Sequence, residues 1–273
     1  MSGTKFVALL ITMILMVFLV ACGSDDGSEK SSGTKNNDKD ELDLVNSGEF
    51  TFAASGELEP FSFMKDGKMV GFDIDVGKAI AKELGLEPNP QKAKFSGIIT
   101  GVKQNRYDAA VANHTITEKR KKQVNFTDPY YYNGPVIFTR PDSNIKKAED
   151  LDGKEVSVAR GTTYVNMVKE YTDNIPQVDS DVVALQSLAK GHHDAVVTDA
   201  TTGQTAIKEG LDIEAKKQLK ISKLGIPVAK EHDNLLKKIN QALDELREKG
   251  KLKEISEKWI GEDVTEPPEE LNN

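Results

Sequence analysis

Arg120 stands in the run Thr117-Glu118-Lys119-Arg120-Lys121-Lys122, where it differs from its lysine neighbours by offering a planar fork of N–H donors that matches a carboxylate. Two readings are open for it. Thr117 has the residue type of a helix N-cap, which puts Arg120 in a first helical turn, where a cation opposes the macrodipole by about 0.3–1 kcal/mol. On that account the run is an exposed basic turn; on the other, Arg120 turns into a cleft and grips an anion. A second anion-compatible element is Ala159-Arg160-Gly161-Thr162-Thr163, which lies between an apolar run and a helical pattern and leaves free backbone N–H groups pointing at one spot. It lacks the Gly-Lys-Ser/Thr ending of a phosphate-binding loop, and a threonine cap explains it equally well. Asp199 ends the apolar run 194–199, so its carboxylate is either a ligand group at a strand's carboxyl end or the cap of the next helix. The chain has four histidines and one cysteine; His192 and His193 are adjacent in a turn, and no cluster at ligand spacing points to a metal. Asp73 and Asp75 read as an N-cap and a solvated first turn rather than as calcium ligands.

The elements that must position these groups alternate. Short β-rich runs at 50–54, 109–112, 135–139, 155–159 and 195–198 are interleaved with helical patterns at 73–84, 97–104, 164–170 and 234–249, which predicts an α/β fold with a largely parallel sheet. Val76, Ile80 and Leu84 form the apolar side of the first helix, and Gly85 is its left-handed stop. Two loops interrupt the alternation: 127–135, with two prolines, a glycine and three consecutive tyrosines, and 224–227, with Gly225 and Pro227. These are read as two crossings, at 129–135 and 224–227, between a first lobe of 44–128 plus 228–263 and a second lobe of 136–223. Such a connection permits hinge motion.

The ends of the chain carry a different signal. Lys5 precedes an apolar stretch from Phe6 that closes on Leu19-Val20-Ala21-Cys22, the spacing of a bacterial export signal cleaved before a cysteine that then receives lipid. The stretch is shorter than the ~20 residues of a membrane-spanning helix. Residues 1–21 are therefore expected to be a lipoprotein signal peptide, Cys22 the lipidation site, 22–43 a flexible Ser/Gly/Asp/Lys-rich tether and 264–273 a polar tail. Cys22 is the sole cysteine, so no intrachain disulfide can form. The 36 basic and 44 acidic residues give a net charge of −8, with both signs mixed along helical faces, which argues for solubility and against a nucleic-acid partner.

Several of these segments in order resemble the polar amino-acid family of solute-binding lipoproteins that serve ATP-driven (ABC) importers, a family with the two-lobe type II periplasmic-binding fold. The likeness covers nearly all of 50–261. It rests on Glu59-Pro60-Phe61-Ser62-Phe63, Asp66-Gly67, Val70-Gly71-Phe72-Asp73-Ile74-Asp75-Val76, Phe95-Ser96-Gly97-Ile98-Ile99, and Thr115-Ile116-Thr117-Glu118-Lys119-Arg120 with Phe126-Thr127-Asp128-Pro129-Tyr130. It continues through Asp150-Leu151-Asp152-Gly153-Lys154, Gly161-Thr162-Thr163, Asp194-Ala195 with Asp199, and Lys258-Trp259-Ile260-Gly261.

The resemblance implies that Arg120 holds a ligand α-carboxylate, helped by the Thr115 hydroxyl and by backbone N–H groups near Thr162 and Thr163. Asp199 and the Asn113 carbonyl would take the α-ammonium. Phe95 matches one of two aromatic rings that sandwich the ligand in this family, while Leu58 stands where the second ring is usual. Ser55 and Ala159 occupy positions where relatives specific for lysine or arginine commonly carry charges, which favours an uncharged polar or cystine-like ligand over a dicationic one; Glu57 and Glu59 stand close by. The implied protein is a monomeric, lipid-anchored receptor on the extracytoplasmic face of the cell membrane. It would hand a free amino acid to a membrane permease driven by a separate ATPase, with no cofactor and no bond made or broken. The rival is an enzyme on the same fold, a dehydratase of small ring acids, for which His114 is the one acid/base candidate.

Overall fold

A computed structural model describes residues 42–269 of the 273-residue chain. The expected signal peptide, Cys22, most of the expected tether and the last four residues of the tail lie outside the described residues.

The chain folds into two sheet-rich lobes with matching topology. In the first sheet the strands run in the order Glu87–Lys92, Glu49–Ala54, Ala109–Ala110, Pro227–Val228, Asn125–Phe126. In the second the order is Gln177–Val178, Val156–Ala159, Ala195–Asp199, Pro135–Thr139, Glu214–Gln218. The first three strands of each are mutually parallel, and the last two pair antiparallel. The expectation of a largely parallel sheet is therefore corrected to a mixed one. The cause is the crossings: Pro135–Thr139 and Pro227–Val228 enter their sheets directly from the other lobe, without the crossover helix that a parallel neighbour requires. Between the sheets the chain passes twice, in Tyr131–Asn133 and Ser222–Leu224, and these segments form an antiparallel ladder.

Each sheet is covered on both faces by apolar packing. In the first lobe Phe50, Phe52, Phe72, Ile80, Ile239 and Leu243 fill one side, and Ala53, Ile98, Val102 and Val124 the other. In the second lobe Ile137, Leu151, Val158 and Val197 oppose Val136, Phe138, Leu185 and Val196. Burial of each large side chain contributes about 1.5–3 kcal/mol. The helix Asp233–Glu248 shows how sequence produces this: Leu235, Ile239, Ala242, Leu243 and Leu246 recur at helical spacing and are all buried.

Two local expectations are corrected. The helix that begins near Asp73 spans Phe72–Glu83 with Gly71 as its N-cap, and the carbonyls of Pro60 and Phe61 accept its first free N–H groups. Gly71 has φ 128, and a Cβ there would stand 2.2 Å from the Phe61 oxygen, so only glycine allows this docking. Asp73 is thereby neither a cap nor solvated. It is fully buried and accepts a 2.7 Å hydrogen bond from the Tyr130 hydroxyl, while Asp75 accepts from Trp259 Nε1 at 2.8 Å and from Lys258. Gly85 does end the helix, with φ 70. The start of the polar tail is packed down: the Tyr132 N–H donates to the Val264 carbonyl at 2.8 Å, and Thr265 is 1% exposed. Leu42, assigned to the tether, packs against the first core.

Candidate functional site

The two lobes meet around a cleft with ≈ 590 Å³ of empty space, part of it open to solvent, and its wall includes all nine residues named from the sequence: Ser55, Leu58, Phe95, Asn113, Thr115, Arg120, Thr162, Thr163 and Asp199. Short connections place them. Ser55 follows the strand Glu49–Ala54, Asn113 and Thr115 follow Ala109–Ala110, Thr162 and Thr163 follow Val156–Ala159, and Asp199 ends its own strand. These are the carboxyl ends of parallel strands, where open α/β sheets gather ligands.

Arg120 belongs to the short helix Glu118–Lys121, capped by Thr117, whose Oγ1 accepts the Arg120 N–H at 3.2 Å. Cap and cleft therefore both hold, since Lys119 and Lys121 are exposed while Arg120 is 9% exposed and turns inward. Its Nη1 donates to the Thr115 carbonyl at 2.8 Å, and its Nη2 reaches across the cleft to the Gly161 carbonyl at 3.0 Å. Burial pushes its pKa down to about 10, so it remains a cation at neutral pH. Among the described residues no carboxylate forms an ion pair with it.

Asp199 lies in the other lobe and is 3% exposed. It is both helix cap and cavity wall: Oδ1 accepts from the Thr201 N–H at 3.1 Å and from Asn133 Nδ2 at 2.6 Å, and Oδ2 accepts from Asn113 Nδ2 at 3.3 Å. Burial, helped by the negative charge of Asp181, pushes its pKa up to about 7, against the lowering effect of the Asn113 and Thr201 donors. Asn113, which carries the cross-lobe contact, has φ 56, a left-handed conformation asparagine tolerates better than most residues. Behind it the Tyr131 hydroxyl donates to Asn113 Oδ1. The Asn113 N–H donates to the Tyr130 hydroxyl at 3.2 Å, which in turn donates to buried Asp73. Asp73 is also pushed up to about 7, by burial first.

The remaining wall is less charged. Thr162 Oγ1 donates back to the Ala159 carbonyl at 2.8 Å, whereas Thr163 Oγ1 is buried with no protein partner and caps nothing. The Phe95 ring stacks on His114 at 4.6 Å between centroids, and the Arg120 guanidinium lies 6.0 Å from the centre of the same ring. His114 is 1% exposed, neither ring nitrogen has a hydrogen-bond partner, and it does not line the cavity. Burial and the Arg120 charge hold its pKa well below the ordinary value. His193 is engaged by Glu155 at 2.7 Å and is not part of this wall. Sequence reasoning missed Tyr164, Asp179, Ser180 and Asp181, which also line the cavity; the Ser-Asp pair opening a helical pattern was the only available signal.

A profile of the bacterial extracellular solute-binding proteins, family 3, matches residues 50–262. The chain belongs to that family. This family-3 protein is 32% identical to the probable amino-acid-binding protein YxeM of Bacillus subtilis (strain 168) over 97% of its own length and 98% of the relative's. It is 32% identical to the L-cystine-binding protein TcyJ of Escherichia coli (strain K12), over 80% of this chain and 85% of that one. Among solved structures, an ancestral arginine-binding protein bound to glutamine superposes with a TM-score of 0.75 at 37% identity, covering 80% of this chain and 100% of that one. The type II two-lobe fold expected from the sequence is thus shared with amino-acid-binding proteins of known structure.

Proposed function

We propose that this family-3 protein captures a zwitterionic polar amino acid between its lobes and delivers it, unaltered, to the membrane permease of an ABC importer. One observation carries the reading: Arg120 and Asp199, a cation and a carboxylate without ion-pair partners among the described residues, line one cavity from opposite lobes. An α-carboxylate on Arg120 and an α-ammonium on Asp199 join the lobes through the ligand, so binding favours the closed arrangement by its differential affinity for that state. The side chain is uncharged and polar, or cystine-like, as Ser55 and Ala159 suggest. The dehydratase-like alternative needs an acid/base group over the ligand, and His114 lies behind Phe95 instead. The protein works as a monomer, exported and held on the extracytoplasmic face through a lipid on Cys22.

A thermal-shift panel of the twenty amino acids plus cystine tests the capture, because a selective ligand raises stability by mass action. A selective rise supports the reading, and a flat panel contradicts it. Anchoring is tested separately by fractionation: Cys22→Ala releases the mature protein from membranes with its folded lobes intact, and retention of mature alanine variant in the membrane pellet would refute the lipid anchor.

A further inference from the structure

The charges on the cavity wall do not cancel. Five charged side chains line it: Glu57, Arg120, Asp179, Asp181 and Asp199. Two are neutralised by neighbours outside the cavity, Glu57 by Lys92 at 3.0 Å and Asp179 by Lys94 at 3.2 Å, with Arg160 at 3.8 Å. Arg120, Asp199 and Asp181 have no ion pair among the described residues. The α-carboxylate and α-ammonium of an amino acid match Arg120 and Asp199 one for one, which leaves the Asp181 carboxylate unmatched.

Its place in the fold offers a rival explanation, since Asp181 opens the helix Asp181–Ala189 and acidic residues favour such positions. The hydrogen bonds argue otherwise. The side-chain cap is made by Ser180, whose Oγ accepts the Val183 N–H at 3.3 Å, while the Asp181 carboxylate meets its own backbone N–H and Oδ1 accepts the Thr198 hydroxyl at 2.5 Å, on the strand that ends in Asp199. Asp181 is close enough to matter to Asp199, since its negative charge adds to the burial that raises the Asp199 carboxyl. Burial raises the Asp181 carboxyl too, as follows for an anion without a cation beside it. An anion held in a wall by one hydroxyl and its own backbone N–H, with no cation beside it, is costly unless a positive group meets it.

We propose that Asp181 receives a second cationic group, an ammonium or guanidinium, at the distal end of the ligand's side chain. The inference rests on the amino-acid reading of the cavity and revises the side-chain preference drawn from Ser55 and Ala159: ligands with a distal cation are selected, a class that includes cystine, with its second ammonium, and also the basic amino acids that this preference disfavours. A carboxylate supplied from the second lobe thus substitutes for the charge that Ser55 does not supply from the first.

The test is calorimetry on the wild-type protein and Asp181→Asn with L-cystine, L-lysine, L-arginine and L-glutamine as probes. Wild type is expected to bind at least one distally cationic probe about 10-fold or more tighter than glutamine. Asp181→Asn is expected to weaken that probe about 30-fold or more, as when one partner of a desolvated charge pair is removed, and to leave glutamine within about 3-fold. Glutamine bound tightest by wild type overturns the assignment even if the variant fails to fold, and so does an equal loss for all four probes in the variant. Those outcomes leave the Arg120–Asp199 clamp standing. Absence of binding by every amino acid removes both the clamp reading and this one.

Discussion

Ligand affinity should fall steeply on acidification, because the Asp199 carboxyl must be ionised to pair with an α-ammonium and burial has pushed its pKa up to about 7. With the ligand in place the ammonium favours the charged form, so the pKa drops and binding releases part of a proton near neutrality. Below pH 7 the affinity then declines about tenfold per pH unit, which makes binding at pH 5 about 100-fold weaker than at pH 8, or roughly 2.7 kcal/mol at 1.36 kcal/mol per unit. The unliganded protein should move the opposite way. Asp199 and Asp73 both have folded-state pKa values of about 7, raised above the ordinary carboxylate value of 3.8, so folded protein binds more protons than unfolded between those limits. Stability from these groups is present at low pH and is lost as pH rises through about 7. Calorimetry across pH 5–8, in two buffers of different ionisation enthalpy, reads both affinity and proton release. An affinity that is flat over this range, or an equal decline in Asp199→Asn, would refute the reasoning.

Two further outcomes follow from the cleft. Arg120→Ala is expected to weaken binding by about 2–5 kcal/mol while preserving the circular dichroism spectrum, since it removes the cation proposed to meet the α-carboxylate; near-wild-type affinity would take Arg120 out of the site. Gly161→Ala puts a Cβ 3.0 Å from the Ser96 Cα of the opposite lobe, at a residue with φ 83, so it obstructs lobe closure without touching the first-lobe core. It should lower affinity about tenfold or more through the closed state, and an unchanged dissociation constant would show that Gly161 and Ser96 do not approach on binding.

Much of this site was legible because its residues sit where local sequence decides the geometry. Arg120 stands in a turn capped by Thr117, Asp199 ends a strand and Gly161 follows one, and the apolar runs of both strands are plain. Asp73 misled for a physical reason: an acidic residue near a helix start is ordinarily a cap, and only the docking of Gly71 against Phe61 makes it a buried partner of Tyr130. The strand Glu87–Lys92 was hidden by Pro88 and Pro90, which an edge strand tolerates because one row of its N–H groups needs no partner. Asp181 and Tyr164 became site residues only when the second lobe folded against the first, a long-range fact that no local pattern encodes. The packed tail shows the same limit, since nothing in Asp263–Glu266 as a polar segment predicts that Val264 will hold Tyr132.

The central claim, that a zwitterion joins Arg120 to Asp199 and draws the lobes together, is tested most directly by small-angle X-ray scattering with the best ligand of the panel and with its α-amide. The account predicts a smaller radius of gyration at saturation with the amino acid, no change with the amide, and recovery of the ligand unaltered. Equal compaction by both compounds, or chemical turnover of the amino acid that His114→Ala abolishes, would contradict it.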